Sequence, residues 1–158
     1  MEHPVEELYS LFVPLHQARL IVPRSCVAEI IRFSSPQERA EDSPDWFRGF
    51  LDWNNMRVPV ISIEDLCGMT SAPPGGRTRI AIFNGLSDAL SGRVFGILTE
   101  GFPQLVRVNS EVMELYDEQD WPKDGPIICQ IHMINEYPLI PDIEAIEALV
   151  QEQVAVAA

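Results

Sequence analysis

The stretch Trp46–Leu66, WFRGFLDWNNMRVPVISIEDL, restricts the fold more than any other part of the chain. Two runs rich in β-forming residues, Phe47–Trp53 and Met56–Ile63, flank the pair Asn54-Asn55. Asparagine is one of the few non-glycine residues that tolerate positive φ, so Asn-Asn suits the two-residue loop of a hairpin. Pro59 lies inside the second run and cannot donate to a sheet ladder, which predicts an edge strand or a bulge there. An unpaired edge can template a partner strand. The hairpin therefore points to binding before it points to catalysis.

The rest of the chain is compatible with one folded domain of 158 residues, or two very small barrels sharing a core. Apolar content of 46% and charged content of 22% argue against disorder. No apolar run reaches the roughly 20 residues needed to span a bilayer. The start, MEHPVEELYSL, has neither a basic nor an apolar leader region, so a cytoplasmic protein is expected. The net charge of -13 repels phosphate backbones and anionic lipid, which disfavours nucleic-acid binding and membrane insertion. Cys26, Cys67 and Cys129 are far apart, follow no metal or redox spacing, and read as buried reduced thiols.

Further strands are expected at Leu8–Pro14 and Arg19–Pro23 as an opening hairpin, then at Val27–Phe33 after a helical turn. Arg79–Phe83, Arg93–Thr99 and Phe102–Val108 follow. A last hairpin is predicted across Asn135-Glu136, from Ile127–Ile134 to Tyr137–Ile140. Residues 34–44 and 69–76 read as loops, and the second is the candidate midpoint of a domain running from about residue 5 to 150. Residues 109–126 look acidic and irregular, with a helix start at Ser110. Ile63–Cys67 forms one helical turn closed by Gly68. From Asp142, the residues Ile143, Ile146, Leu149, Val150 and Val154 recur at helical spacing, with Asp142 as cap and a fraying end after residue 150. Each half thus ends in hairpins followed by an acidic helical start, ISIEDL and IPDIEAI, a hint of duplication.

No catalytic motif is present: no GxSxG, P-loop or GxGxxG. His3, His16 and His132 lack metal-ligand spacing, so neither a catalytic nor a metal site is assigned. Trp46, Trp53 and Trp121 are core residues or exposed anchors, with the core reading favoured.

The order LYSLFVPL, VAEIIRF, RGFLDWNNMRVPVISIEDL, RIAIF, VFGILTEGFPQLVRV resembles the CheW family of chemosensory coupling proteins over about Leu8–Leu149. Gly49–Ile61 carries the pattern G-[VF]-[IL]-x6-[IV]-P-V-[IV]. Gly96, Glu100 and Phe102 carry G-x3-[DE]-x-[FV]. The resemblance implies a mainly β fold of two small, intertwined five-stranded β-barrels, with short helices and a C-terminal helix. It implies a non-enzymatic adaptor without cofactor. Its partners would be a CheA-like histidine kinase, through a regulatory domain of the same fold, and the cytoplasmic helical tip of a chemoreceptor. The residues carried over as partner-binding are Val27, Glu29, Ile30, Gly49, Asn54, Arg57, Gly96, Glu100 and Phe102. For Val27, Ile30 and Phe102 the alternative is ordinary core, and for Gly49 and Gly96 a bulge or close backbone approach.

Two positions depart from the family pattern. Asn54-Asn55 stands where the family has Arg-Gly, which keeps the turn but loses a bidentate donor that Arg57 replaces only from a displaced position. Ser62 stands where the family has aspartate. The phrases LYSLFVPL, RIAIFNGL and IPDIEAIEAL resemble the divergent couplers of pilus-associated, twitching-motility systems. Two other classes stand beside this reading. One is a small β-barrel enzyme or ligand-binding domain with a site assembled across loops, which needs an enclosed polar pocket with converging titratable groups. The other is an oligonucleotide-binding barrel, which needs a basic face.

Overall fold

The computed structural model describes residues 8–109 and 111–157. The expected helix start at Ser110 and the histidine at position 3 lie outside the described residues. The strands are β1 Leu8–Pro14, β2 Arg19–Pro23, β3 Val27–Arg32, β4 Phe47–Trp53, β5 Met56–Ile61, β6 Arg79–Asn84, β7 Val94–Thr99, β8 Gln104–Val108, β9 Glu114–Tyr116, β10 Ile127–His132 and β11 Leu139–Pro141. The helices are α1 Ile63–Leu66 and α2 Ile143–Ala157, and a 3-10 turn at Arg24–Cys26 leads into β3. The acidic stretch after Asn109 thus contributes a short strand, β9, and α2 continues to Ala157 past the point where fraying was expected.

The strands form two sheets. One has six strands in the order β8-β1-β2-β11-β10-β9, and the other five in the order β3-β6-β7-β5-β4. Two β-sheets with few helices agree with the mainly β, two-barrel expectation, with β9 as an added strand. Each sheet contains one parallel pair: β5 beside β7 (Val60↔Gly96, Ile61↔Ile97) and β11 beside β2 (Leu139↔Leu20). The five-stranded sheet curls far enough for its two edges to touch, because the Trp53 indole on β4 donates to Glu29 on β3.

Side-chain alternation along single strands assigns residues to different cores. On β6, Ile80 and Ile82 fill the interior of the five-stranded barrel, while Ala81 and Phe83 point into a core shared by both sheets. On β2, Ile21 enters the six-stranded barrel, and Leu20 and Val22 enter the shared core. Strands buried on both faces read as continuous apolar runs, which is why RLIVP and RIAIF lack the alternation of a half-exposed strand. Ile143, Ile146 and Val150 of α2 also pack into the shared core. The cap is as expected, with the Ala145 amide donating to Asp142 Oδ1 at 3.1 Å.

The chain crosses between sheets after β2 and after β7, and the loop 69–76 joins β5 to β6 within one sheet. Either side of that loop the element order repeats: a hairpin, three strands of one sheet (four in the second half, where β9 is added), then a helix. The hairpin β1–β2 completes the sheet of β8, β10 and β11, and β6–β7 completes the sheet of β3, β4 and β5. The repeat is in register. Phe47 and Ile127 flank bulges at the start of β4 and β10, the tips are Asn54-Asn55 and Ile134-Asn135, and the caps are Ser62 and Asp142. Each pair is 80 positions apart.

The last hairpin therefore turns at Ile134-Asn135, one residue before the expected Asn135-Glu136. The Met133 amide donates to the Glu136 carbonyl at 3.0 Å and the Glu136 amide returns a bond at 2.8 Å. Positive φ at 134 and 135 makes the two-residue turn possible. Tertiary pairing decided the register here against the turn propensity of Asn-Glu.

The edge expectation for Pro59 needs correction. Strand β5 is interior, between β7 and β4, and β4 is the edge. Phe50, opposite Pro59, exchanges both of its main-chain hydrogen bonds with Gln37 on the outer side, at 2.8 Å each. Phe50–Pro59 is thus a non-hydrogen-bonded pair, and β4 asks nothing of the missing N–H. Pairing with β7 begins only at Val60, one residue later. The bulge alternative holds instead for β4, where the register shifts between Phe47 and Gly49.

Candidate functional site

The residues singled out from the sequence fall in two exposed clusters and two interior positions. The first cluster is the end of the β4–β5 hairpin with β3. Asn54 (φ 49°) and Asn55 (φ 61°) form the exposed tip, both in the left-handed region that asparagine tolerates. Trp53, next to the tip, packs into the five-stranded barrel and donates to Glu29, so Glu29 and Asn54 belong to one surface. Val27 and Ile30, also on β3, are partly buried against the shared core. Arg57 pairs with Glu38 at 2.7 Å and lies 3.6 Å above the Phe50 ring. It is held along the hairpin rather than extended from the tip.

The second cluster is the crossing from β7 to β8. The Glu100 amide donates to the Pro14 carbonyl at 2.9 Å, which ties the crossing to β1. Phe102 is 66% exposed, with the Arg79 guanidinium 5.0 Å from its ring centre. Beside it, Pro14, Arg19, Arg77, Glu100 and Gln104 surround a cavity of about 180 Å³. An exposed aromatic ring framed by arginines is a strong candidate for a partner contact.

Gly49 and Gly96 are interior. A Cβ on Gly49 would lie 2.6 Å from the Gln37 carbonyl oxygen, and its φ of +120° is open only to glycine. A Cβ on Gly96 would meet Ile80 at 2.9 Å and Val60 at 3.3 Å inside the five-stranded barrel. Gly49 thus serves both the β4 bulge and close approach, and Gly96 close approach alone.

Two polar residues that sequence reasoning passed over organise the surface. Glu64 of α1 is buried and accepts from the His16 and Gln17 amides, at 2.9 Å each, in the β1–β2 turn. Glu147 of α2 is fully buried and accepts from the Leu86 amide at 2.6 Å and from the Ser87 hydroxyl at 2.8 Å, in the β6–β7 loop. Each helix therefore grips the turn of the hairpin that its own half lends to the other sheet. The only available signal was the paired ISIEDL and IPDIEAIEAL segments. A glutamate on a helix face otherwise reads as a solvated charge.

The three thiols are unreactive. Burial raises the pKa of Cys26 and Cys129, and burial followed by the nearby Glu64 charge pushes Cys67 up to about 11. All three thiols are therefore protonated and poorly nucleophilic near neutral pH. No group of His, Cys, Asp and Glu among the described residues could hold a metal ion. No helix among them is long and apolar enough to cross a membrane.

A sequence model of the CheW-like domain matches residues 10–149. The chain belongs to the CheW-like domain family. Among solved structures it is similar to the scaffolding protein TtCheW from Thermoanaerobacter tengcongensis, with a TM-score of 0.71 at 13% identity. That likeness covers 90% of this chain and 89% of the other, and at such low identity it speaks for the fold. No curated protein sequence matches the chain. As a CheW-like domain the protein is a non-enzymatic, chemotaxis-type coupling adaptor.

Proposed function

We infer that this CheW-like domain couples the cytoplasmic helical tip of a chemoreceptor to the regulatory domain of a CheA-like histidine kinase, in the cytoplasm. The observation that carries this reading is the family match over residues 10–149. The exposed tip Asn54-Asn55, with Glu29 and Trp53 behind it, is the first docking surface, and the Glu100–Phe102 crossing is the second. The segments LYSLFVPL, RIAIFNGL and IPDIEAIEAL favour a pilus-associated, twitching-motility pathway. The in-register repeat on either side of residues 69–76 supports reading that loop as the boundary between two duplicated halves.

Titration calorimetry against a kinase regulatory domain and, separately, a receptor tip fragment tests the reading. Saturable binding of both is expected. Absence of any association at high micromolar concentration overturns it. The double variant Asn54→Arg/Asn55→Gly, which rebuilds the family tip, is expected to tighten receptor binding several-fold and leave kinase binding unchanged.

A further inference from the structure

A groove of about 540 Å³ runs between the β1–β2 turn, the end of α1 and the β10–β11 hairpin. It meets the second cluster above only at Arg19, which lines both. Leu15, Leu139 and Trp121, all packed on the shared core, give it an apolar floor. Three of its side chains keep polar atoms uncommitted. The Trp121 indole N–H is buried and has no hydrogen-bond partner among the described residues. A buried donor left without an acceptor costs stability, so its retention calls for an acceptor supplied from elsewhere. The side-chain amides of Gln17 and Gln119 also line the groove without a partner among the described residues.

The walls are rigid. The Gln17 main-chain N–H is fixed by Glu64 at 2.9 Å, and the Tyr137 ring is stacked on His132 with centroids 4.8 Å apart and meets Tyr116 edge-on at the same separation. Gln130 is tied through its Nε2 to the Tyr137 carbonyl at 2.9 Å. Arg19, the cation of the groove, is paired with Glu136 at 3.0 Å. The segment carrying Gln119 and Trp121 also carries exposed Asp117, Glu118, Asp120, Lys123 and Asp124.

We propose that this groove binds an extended peptide segment of a partner protein that carries basic side chains. Side-chain amides both donate and accept, as a peptide backbone does, and the orphan indole donor suits a peptide carbonyl. The aromatic and leucine floor takes an apolar side chain, and the acidic segment beside it favours lysine or arginine over phosphate or carboxylate. An anionic ligand would meet four carboxylates of that segment against one lysine, with Arg19 already neutralised.

The test uses the full chain, labelled for NMR, and a blocked octapeptide of alternating Leu and Lys as the probe. Leu-Ser and Leu-Glu peptides of the same length are the comparisons. The Trp121 indole resonance, assigned with Trp121→Phe, is expected to move saturably with the Leu-Lys peptide, less with Leu-Ser and not with Leu-Glu. Trp121→Phe keeps an aromatic ring on the core but removes the donor and the smaller ring of the indole, so the fold should persist at a slightly lower melting temperature while peptide affinity falls about tenfold. Gln119→Ala should weaken binding further. An unmoved indole resonance overturns the proposal. So does binding to Trp121→Phe equal to that of the parent, which would mark the contact as charge attraction to the acidic surface.

Discussion

The tips of the β4–β5 and β10–β11 hairpins have the same backbone and opposite chemistry. Residues 54 and 55 have φ of 49° and 61°, and residues 134 and 135 have φ of 47° and 62°. The first tip is Asn-Asn and the second Ile-Asn. Asparagine enters the left-handed region at little cost, whereas a β-branched side chain is strained there. Ile134 is also 68% exposed, so it gains almost nothing from burial in this chain. The strands before the two tips differ in the same manner. Gly49 makes room for Gln37 on the outer side of β4, while its counterpart Cys129 carries an ordinary side chain on β10. One scaffold is thus used twice, with different residues at matching backbone positions.

The largest effect is expected at the β4 bulge. Gly49→Asp should cost on the order of 4 kcal/mol, since strain at φ +120° adds to overlap with the Gln37 backbone and to a buried charge. Cys129→Gly should cost about 1 kcal/mol in a denaturant melt. Equal losses at the two positions would break the comparison. Next come the helix grips. Glu147→Ala should lose about 3 kcal/mol, because it empties a fully buried position and leaves the half-buried Ser87 hydroxyl and the Leu86 amide without their acceptor. Glu64→Ala should lose about 1–2 kcal/mol, because exposed His16 and Gln17 can turn to water. The reverse order would mean that the two grips are not equivalent. The smallest effect is at the tips. Ile134→Asn should raise stability by about 1 kcal/mol, and Asn54→Ile should lower it by a similar amount. A melting temperature that falls for Ile134→Asn would show that Ile134 makes a contact worth more than its strain.

Much of the fold was legible because local rules and tertiary packing agreed. Asn54-Asn55 specified a tip, Asp142 a cap and the Ile143–Val154 spacing a buried helix face. The candidate site was less legible. Gly49 and Gly96 fit a family pattern, yet their reasons are Gln37 and the Val60–Ile80 pair, neither near in sequence. Pro59 suggested an edge because a sequence does not state which neighbour a strand's N–H faces. Glu29 and Trp53 meet only because a curled sheet brings its two edges together.

By itself, the sequence determined every strand but β9, the Asp142 cap and the family. Those depend on propensity, spacing and residue type, which are local. Only the tertiary structure decided that each half lends its hairpin to the other half's sheet, that Glu64 and Glu147 are buried grips, and that Ile134 takes a turn fit for asparagine. Those outcomes depend on which distant backbones pair, and pairing energy is shared by residues more than 40 positions apart along the chain.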